Sequence, residues 1–125
     1  MKKSKYLLDS DILIDHLKSV KAAGSFLESQ EEQCSISVIT RAEVLVGGRD
    51  GRFDAMAAFL DCFHTLGIDK EIADKAALLR QQYHWKLPDA FQAALAQVHS
   101  LIFITRNIKD FPPERHSFVK VPYRL

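Results

Sequence analysis

The segment Tyr6-Leu7-Leu8-Asp9-Ser10-Asp11-Ile12-Leu13-Ile14-Asp15 decides how the rest of the chain is read. Tyr6-Leu7-Leu8 is a short apolar run of strand length. Asp9 and Ser10 are both good capping residues, and Ile12, Leu13, Asp15, His16 and Leu17 then fit a helix. A strand that passes at once into a helix, with an acid at the junction, is a unit of an α/β fold.

The alternation continues down the chain. Val20 to Gln33 reads as a helix, softly interrupted at Gly24, and Cys34-Ser35-Ile36-Ser37 as a short strand. From Val38 a helix runs to a stop at Gly47-Gly48, with Ile39, Ala42, Leu45 and Val46 facing the core and Glu43 on that same inward stripe. After the turn Gly48-Arg49-Asp50-Gly51, Phe53 to Phe63 is expected to be a helix with Met56, Phe59 and Leu60 inward. His64 to Ile68 follows as a strand. Asp69 to Tyr83 is the longest amphipathic helix, with Ile72, Ala76 and Leu79 at helical spacing. Leu87-Pro88-Asp89 opens a helix of small residues. Leu101-Ile102-Phe103-Ile104-Thr105 has the pattern of a central strand buried on both faces, and Phe118 to Pro122 adds a last strand. The expected fold is a three-layer α/β/α domain, residues 1–125, around a central, mostly parallel sheet of four to five strands.

Composition narrows the function. The chain has 125 residues, enough for one domain with a real core, and its 47% apolar and 26% charged residues are ordinary for a globular protein. With 17 basic and 16 acidic side chains the net charge is +1, so any contact with nucleic acid must be local. Apolar runs are too short for a membrane span, and Met1-Lys2-Lys3-Ser4 leads into too little apolar sequence for a signal peptide; a cytoplasmic location is expected. Cys34 and Cys62 form no CxxC pair, and the five histidines never fall two to five residues apart. Buried thiols are expected in place of a zinc site or a disulfide.

In parallel sheets, sites form beyond the carboxyl ends of the strands. Asp9 ends the first strand, Glu43 lies on the helix after the second, Asp89 starts the helix that leads into the strand ending at Thr105, and Asp110 follows that strand. Each acid has a plainer reading on its own. Asp9 and Asp89 suit helix caps, Asp110 suits the cap of a turn before Pro112-Pro113, and Arg41 or Arg106 would satisfy Glu43. Four such charges at one end of a sheet raise each other's pKa and oppose folding unless a cation sits among them. An all-oxygen set suits Mg2+ or Mn2+, and such an ion serves phosphodiester cleavage. The sequence lacks a G-x-x-x-x-G-K loop, a G-x-S-x-G elbow and a Gly-rich dinucleotide turn. Arg41, Lys86, Arg106 and Lys109 are candidates for phosphate contacts. Tyr83 and Trp85 are candidates for stacking on bases or for packing in a core or dimer.

Leu7 to Asp15, Ser37 to Gly47, Leu87-Pro88-Asp89-Ala90 and Thr105-Arg106-Asn107-Ile108-Lys109-Asp110-Phe111 resemble, in order, the four acidic motifs of PIN-domain nucleases, and most closely those of the VapC-type toxins of bacterial toxin-antitoxin modules. The resemblance implies a metal-dependent endoribonuclease with Asp9, Glu43, Asp89 and Asp110 as its acidic site. Asp9 and Asp89 would be the principal metal ligands, with Asp11, Thr105 and Asn107 in support. It also implies an RNA substrate, a cognate antitoxin and a homodimer. Two positions depart from the pattern. Gln92 and Leu95 stand where such toxins often have an aliphatic residue and a threonine, and Asp11 stands where asparagine is more usual. Two rivals remain: a haloacid-dehalogenase-like phosphatase built on Asp9 and Asp11, and a non-catalytic metal-binding module.

Overall fold

The computed structural model describes residues 4–125. Met1-Lys2-Lys3, which carry the basic start of the signal-peptide question, lie outside them. In chain order the elements are β1 (Tyr6–Leu8), α1 (Ser10–Leu17), α2 (Lys21–Gln30), a 3-10 turn (Glu31–Gln33), β2 (Cys34–Ser37), α3 (Val38–Leu45), α4 (Phe53–Leu60), β3 (His64–Leu66), α5 (Lys70–Tyr83), α6 (Leu87–Val98), β4 (Ile102–Ile104) and β5 (Val119–Lys120). The five strands form one sheet in the order β3-β2-β1-β4-β5, and every pairing is parallel.

Side-chain alternation along the strands sorts the core into two layers. Leu7 and Phe103 face a cluster with Ile72, Ala76 and Leu79 of α5 and Ala90, Ala93 and Ala94 of α6. Tyr6, Leu8 and Ile104 face the other cluster, with Ile12 and Leu13 of α1, Leu27 of α2, Val44 of α3 and Leu60 of α4. The small residues of α6 let it pack closely against α5 and the sheet. This is the expected three-layer arrangement. No helix among the described residues is long and apolar enough to cross a membrane.

Several boundaries and faces differ from expectation. Helix α2 passes through Gly24 without a break and ends at Gln30, where the chain tightens into the 3-10 turn. Helix α4 stops at Leu60, which leaves Cys62 in an exposed turn; only Cys34 is a buried thiol. Strand β3 ends at Leu66 because, as the edge strand beyond β2, it has one neighbour to pair with. On α3 the buried pair is Thr40 and Val44, while Val46 is 71% exposed and Glu43 faces solvent. A stripe drawn from apolar character alone misplaced α3, because its N-terminal Thr40 is held inward by polar contacts. Gly48 serves by its lack of a side chain: a Cβ there would lie 3.0 Å from Phe53 Cα, where the chain turns into α4.

Moving outward from β1, the chain adds β2 and β3 on one side and β4 and β5 on the other. The reversal falls between β1 and β4, and a parallel sheet leaves its crevice at such a point, beyond the carboxyl ends of the two strands. Asp9 and Thr105 are the residues that follow those two strands.

Candidate active site

Asp9 ends β1 with its N–H donating to the Ile104 carbonyl at 2.9 Å. Its carboxylate is buried, and both oxygens are engaged. Oδ1 accepts from the Ser10 N–H at 2.8 Å, and Oδ2 accepts from the Thr105 hydroxyl at 2.7 Å. Burial raises the Asp9 pKa, against donors from Thr105, Ser10 and Gln92 that favour the ionised form. Asp9 is the N-cap of α1, and its charge also reaches Asp89 and Glu43.

Asp89 lies in the first turn of α6, where the helix dipole favours an anion, but the capping position is Lys86 and has no side-chain cap. Its carboxyl is nevertheless pushed up to about 6, first by burial and then by the charges of Asp9, Asp110 and Glu43; Lys86 opposes them. Asp9, Asp110 and Glu43 each stand within electrostatic reach of Asp89. Glu43 is raised by burial and by Asp9, with a donor from Ser10 in opposition. Neither of its expected partners reaches it: Arg41 Nη1 donates to Asp61 Oδ1 at 2.8 Å, and Arg106 is held by Asp15. Asp110 caps nothing. Asn107 takes that part, accepting the Asp110 N–H at 3.2 Å on its Oδ1 and donating from Nδ2 to Asp110 Oδ2 at 3.0 Å.

Two of the supporting residues, Thr105 and Asn107, bind acids directly. The Thr105 hydroxyl, which donates to Asp9, also accepts the Asn107 N–H at 3.0 Å. Asp11 Oδ2 accepts the Arg106 N–H at 2.9 Å, whereas Asp11 Oδ1 is buried with no hydrogen-bond partner. Burial first and Asp9 second push the Asp11 carboxyl up to about 7. An acid fastened inward in this way does not match the free second aspartate that the phosphatase alternative requires.

A family model described as PIN domain matches residues 6–112, the stretch that carries all four acids. The chain belongs to the PIN-domain family. This PIN domain is 33% identical over 113 residues to Ribonuclease VapC10 of Mycobacterium tuberculosis, a match covering 85% of each protein. Among solved structures it resembles a chain of a toxin-antitoxin complex from Klebsiella pneumoniae, with a TM-score of 0.90 and 38% identity over 97% of this chain and 100% of that one. It also resembles a chain of FitAcB from Neisseria gonorrhoeae, with a TM-score of 0.78 and 25% identity over 96% and 99% of the two chains.

The donor chemistry of this PIN domain fits a hard divalent cation. The acids offer only oxygen, burial first and neighbouring carboxylates second raise the pKa values of Asp89 and Glu43, and the partnerless Asp11 Oδ1 lies beside Asp9. Among the described residues no three His, Cys, Asp or Glu side chains form a group that could hold an ion by themselves.

Two networks went unread in the sequence. Asp15 is buried and takes Arg106 in a bidentate pair, Nε to Oδ2 at 2.6 Å and Nη2 to Oδ1 at 2.9 Å, while the Tyr123 hydroxyl donates to Oδ2 at 2.7 Å. Arg106 is thereby withdrawn from phosphate binding. Asp15 had a signal, being an acid among apolar residues on the inward side of α1. Gln92 is buried and bridges α6 to Ser37 and Thr40. Its signal was its departure from the family pattern. Trp85 is 5% exposed, wedged between Tyr83 and Phe111, with Nε1 donating to the Asp110 carbonyl at 2.8 Å. It is not free to stack on a base.

Proposed function

We propose that this protein is a Mg2+- or Mn2+-dependent endoribonuclease and the toxin of a type II toxin-antitoxin module, with residues 1–125 as its single nuclease domain. The observation that carries the reading is the approach of Asp9, Glu43 and Asp110, from three separate segments of the chain, to Asp89, whose carboxyl is pushed up first by burial and then by those three charges. Asp9 and Asp89 would hold the ion, which when bound would neutralise charge on the phosphodiester and activate a water for in-line attack. Thr105 and the Ser10 N–H orient the Asp9 carboxylate and favour its ionised form against the effect of burial. Glu43, on the solvent side, is placed to orient a water or accept its proton. Asn107 sets the Asp110 carboxylate in the same way that Thr105 sets Asp9. VapC10 is named a ribonuclease, and the Klebsiella pneumoniae chain is part of a toxin-antitoxin complex; these relationships support both the activity and the partner.

A groove of about 380 Å3 beside Glu43, lined by Ile14, Leu17, Val44 and Met56 with Lys18 and Arg52, supports a partner whose amphipathic tail lies along it; such a tail would bring an arginine among the carboxylates. A homodimer completes the reading, and sedimentation that finds only monomer at high concentration would remove it. The decisive experiment is cleavage of unstructured RNA. Activity is expected with Mg2+ or Mn2+, none in EDTA, none for Asp89→Asn, and none on p-nitrophenyl phosphate. Undiminished cleavage in EDTA would overturn the proposal.

A further inference from the structure

A second pocket opens beside the acids. It has a volume of about 290 Å3, near the lower end of small-ligand sites, and its lining includes Tyr83, Trp85, Lys109, Asp110, Arg115 and His116. Asp110 belongs to both places, and the Trp85 bond to its carbonyl ties the pocket wall to the acid site. Whatever occupies this pocket is registered against the acids.

The lining has two complementary parts. Lys109 and Arg115 are exposed, and neither takes part in an ion pair among the described residues. Arg41 and Arg106, by contrast, are committed to Asp61 and Asp15. The second part is aromatic. Tyr83 stacks on Trp85 with centroids 4.5 Å apart and planes 19° apart, meets His116 edge-on at 5.1 Å, and stays 40% exposed. Its ring is therefore fixed before any ligand arrives, which reduces the entropy lost on binding. Burial and Arg115 lower the pKa of His116, so near neutral pH its imidazole is uncharged and offers one donor and one acceptor. Fixed aromatic surface next to unpaired cations is the combination that holds single-stranded nucleic acid, by stacking on bases and pairing with phosphates.

We propose that this pocket is a nucleotide subsite that seats one unpaired base of single-stranded RNA against Tyr83 and the adjoining phosphate against Lys109 and Arg115. The inference rests on the ribonuclease reading for its choice of RNA. It makes Tyr83 a binding residue and Trp85 a positioning residue that supports it.

The test uses Asp89→Asn as an uncleaving background and a fluorescent unstructured oligoribonucleotide. Adding Tyr83→Ala is expected to weaken binding at least about fivefold, the low end for one stacked base, and Tyr83→Phe to leave it unchanged. Adding Lys109→Ala and Arg115→Ala, both at exposed positions, is expected to make the slope of log affinity against log salt shallower by about 1.4, for two single-strand phosphates at about 0.7 each. Lys21→Ala, on the distant α2, is the control. If these variants bind RNA like their parent while the wild type cleaves it, the subsite is overturned and the ribonuclease reading stands. If the wild type cleaves no RNA but the losses in binding are seen, the ribonuclease reading falls and the subsite stands.

Discussion

Gln92 donates from Nε2 to the Thr40 hydroxyl at 2.6 Å, and each of the two residues stands three positions from a site acid, Gln92 after Asp89 and Thr40 before Glu43. The bond is one link of a closed network. The Ser37 hydroxyl donates to Gln92 Oε1 at 2.7 Å and accepts the Thr40 N–H at 3.0 Å, and the Thr40 hydroxyl donates to the Leu8 carbonyl at 3.3 Å. The helices α3 and α6, which carry Glu43 and Asp89, are thereby joined to the end of β1, which Asp9 follows. Gln92→Leu keeps the volume but leaves Ser37 and Thr40 short of buried partners, an expected loss of about 1–3 kcal/mol in urea unfolding. It should also weaken Mn2+ binding, because Asp89 and Glu43 lose their common anchor. Gln92→Leu that unfolds early but binds Mn2+ as the wild type does would confine the network to folding.

Metal response tests whether the acids share one ion. At Mn2+ near 100 times its dissociation constant, the wild type should gain about 2.7 kcal/mol of stability, seen as a higher thermal midpoint. Asp9→Asn and Asp89→Asn should gain much less. Asp74→Asn, on the exposed face of α5, is the appropriate control, since Asp61 is occupied by Arg41. Equal gains in all four proteins would dissolve the shared site.

The metal-free protein should be more stable in mild acid than at pH 8. The Asp89 carboxyl stands at about 6 and that of Asp11 at about 7, both above the ordinary range near 4. Groups with raised folded-state values bind more protons folded than unfolded between those limits, so stability falls as pH rises from about 4 to about 7 and levels off above that. Asp89→Asn should flatten part of that fall, and saturating Mn2+ should reverse it by favouring the ionised acids. The thermal midpoint of the EDTA-treated protein, followed over this range, checks the sign; a midpoint that climbs with pH would contradict it.

Arg106 should matter to the fold before it matters to RNA. Removing it in Arg106→Ala leaves Asp15 buried with only Tyr123, an expected loss of about 3 kcal/mol. Tyr123→Phe removes one hydrogen bond to a charged group and should lose about 1.5 kcal/mol or less. An Arg106→Ala protein that unfolds like the wild type but binds RNA more weakly would return the guanidinium to the phosphate role expected from its position in the sequence.

The sequence alone determined the layers and the end of the sheet at which the acids gather. Unbroken apolar runs such as Tyr6-Leu7-Leu8 and Ile102-Phe103-Ile104, set between helical stripes, dictate a parallel sheet covered on both faces, and they do so through local burial that needs no coordinates. The same local logic located Asp9, Asp89 and Asp110 beside strand and helix ends. Tertiary structure alone decided which charges are free. Arg41, Arg106 and Lys109 look alike along the chain, yet Asp61 and Asp15 claim the first two from segments far away in sequence, and pairing of that kind leaves no periodic trace. The orientation of α3 was decided in the same way: Thr40 turns inward because Gln92, 52 residues on, supplies the partner that makes a buried hydroxyl tolerable. Glu43 consequently faces solvent at the rim of the site, where hydropathy alone had placed it in the core.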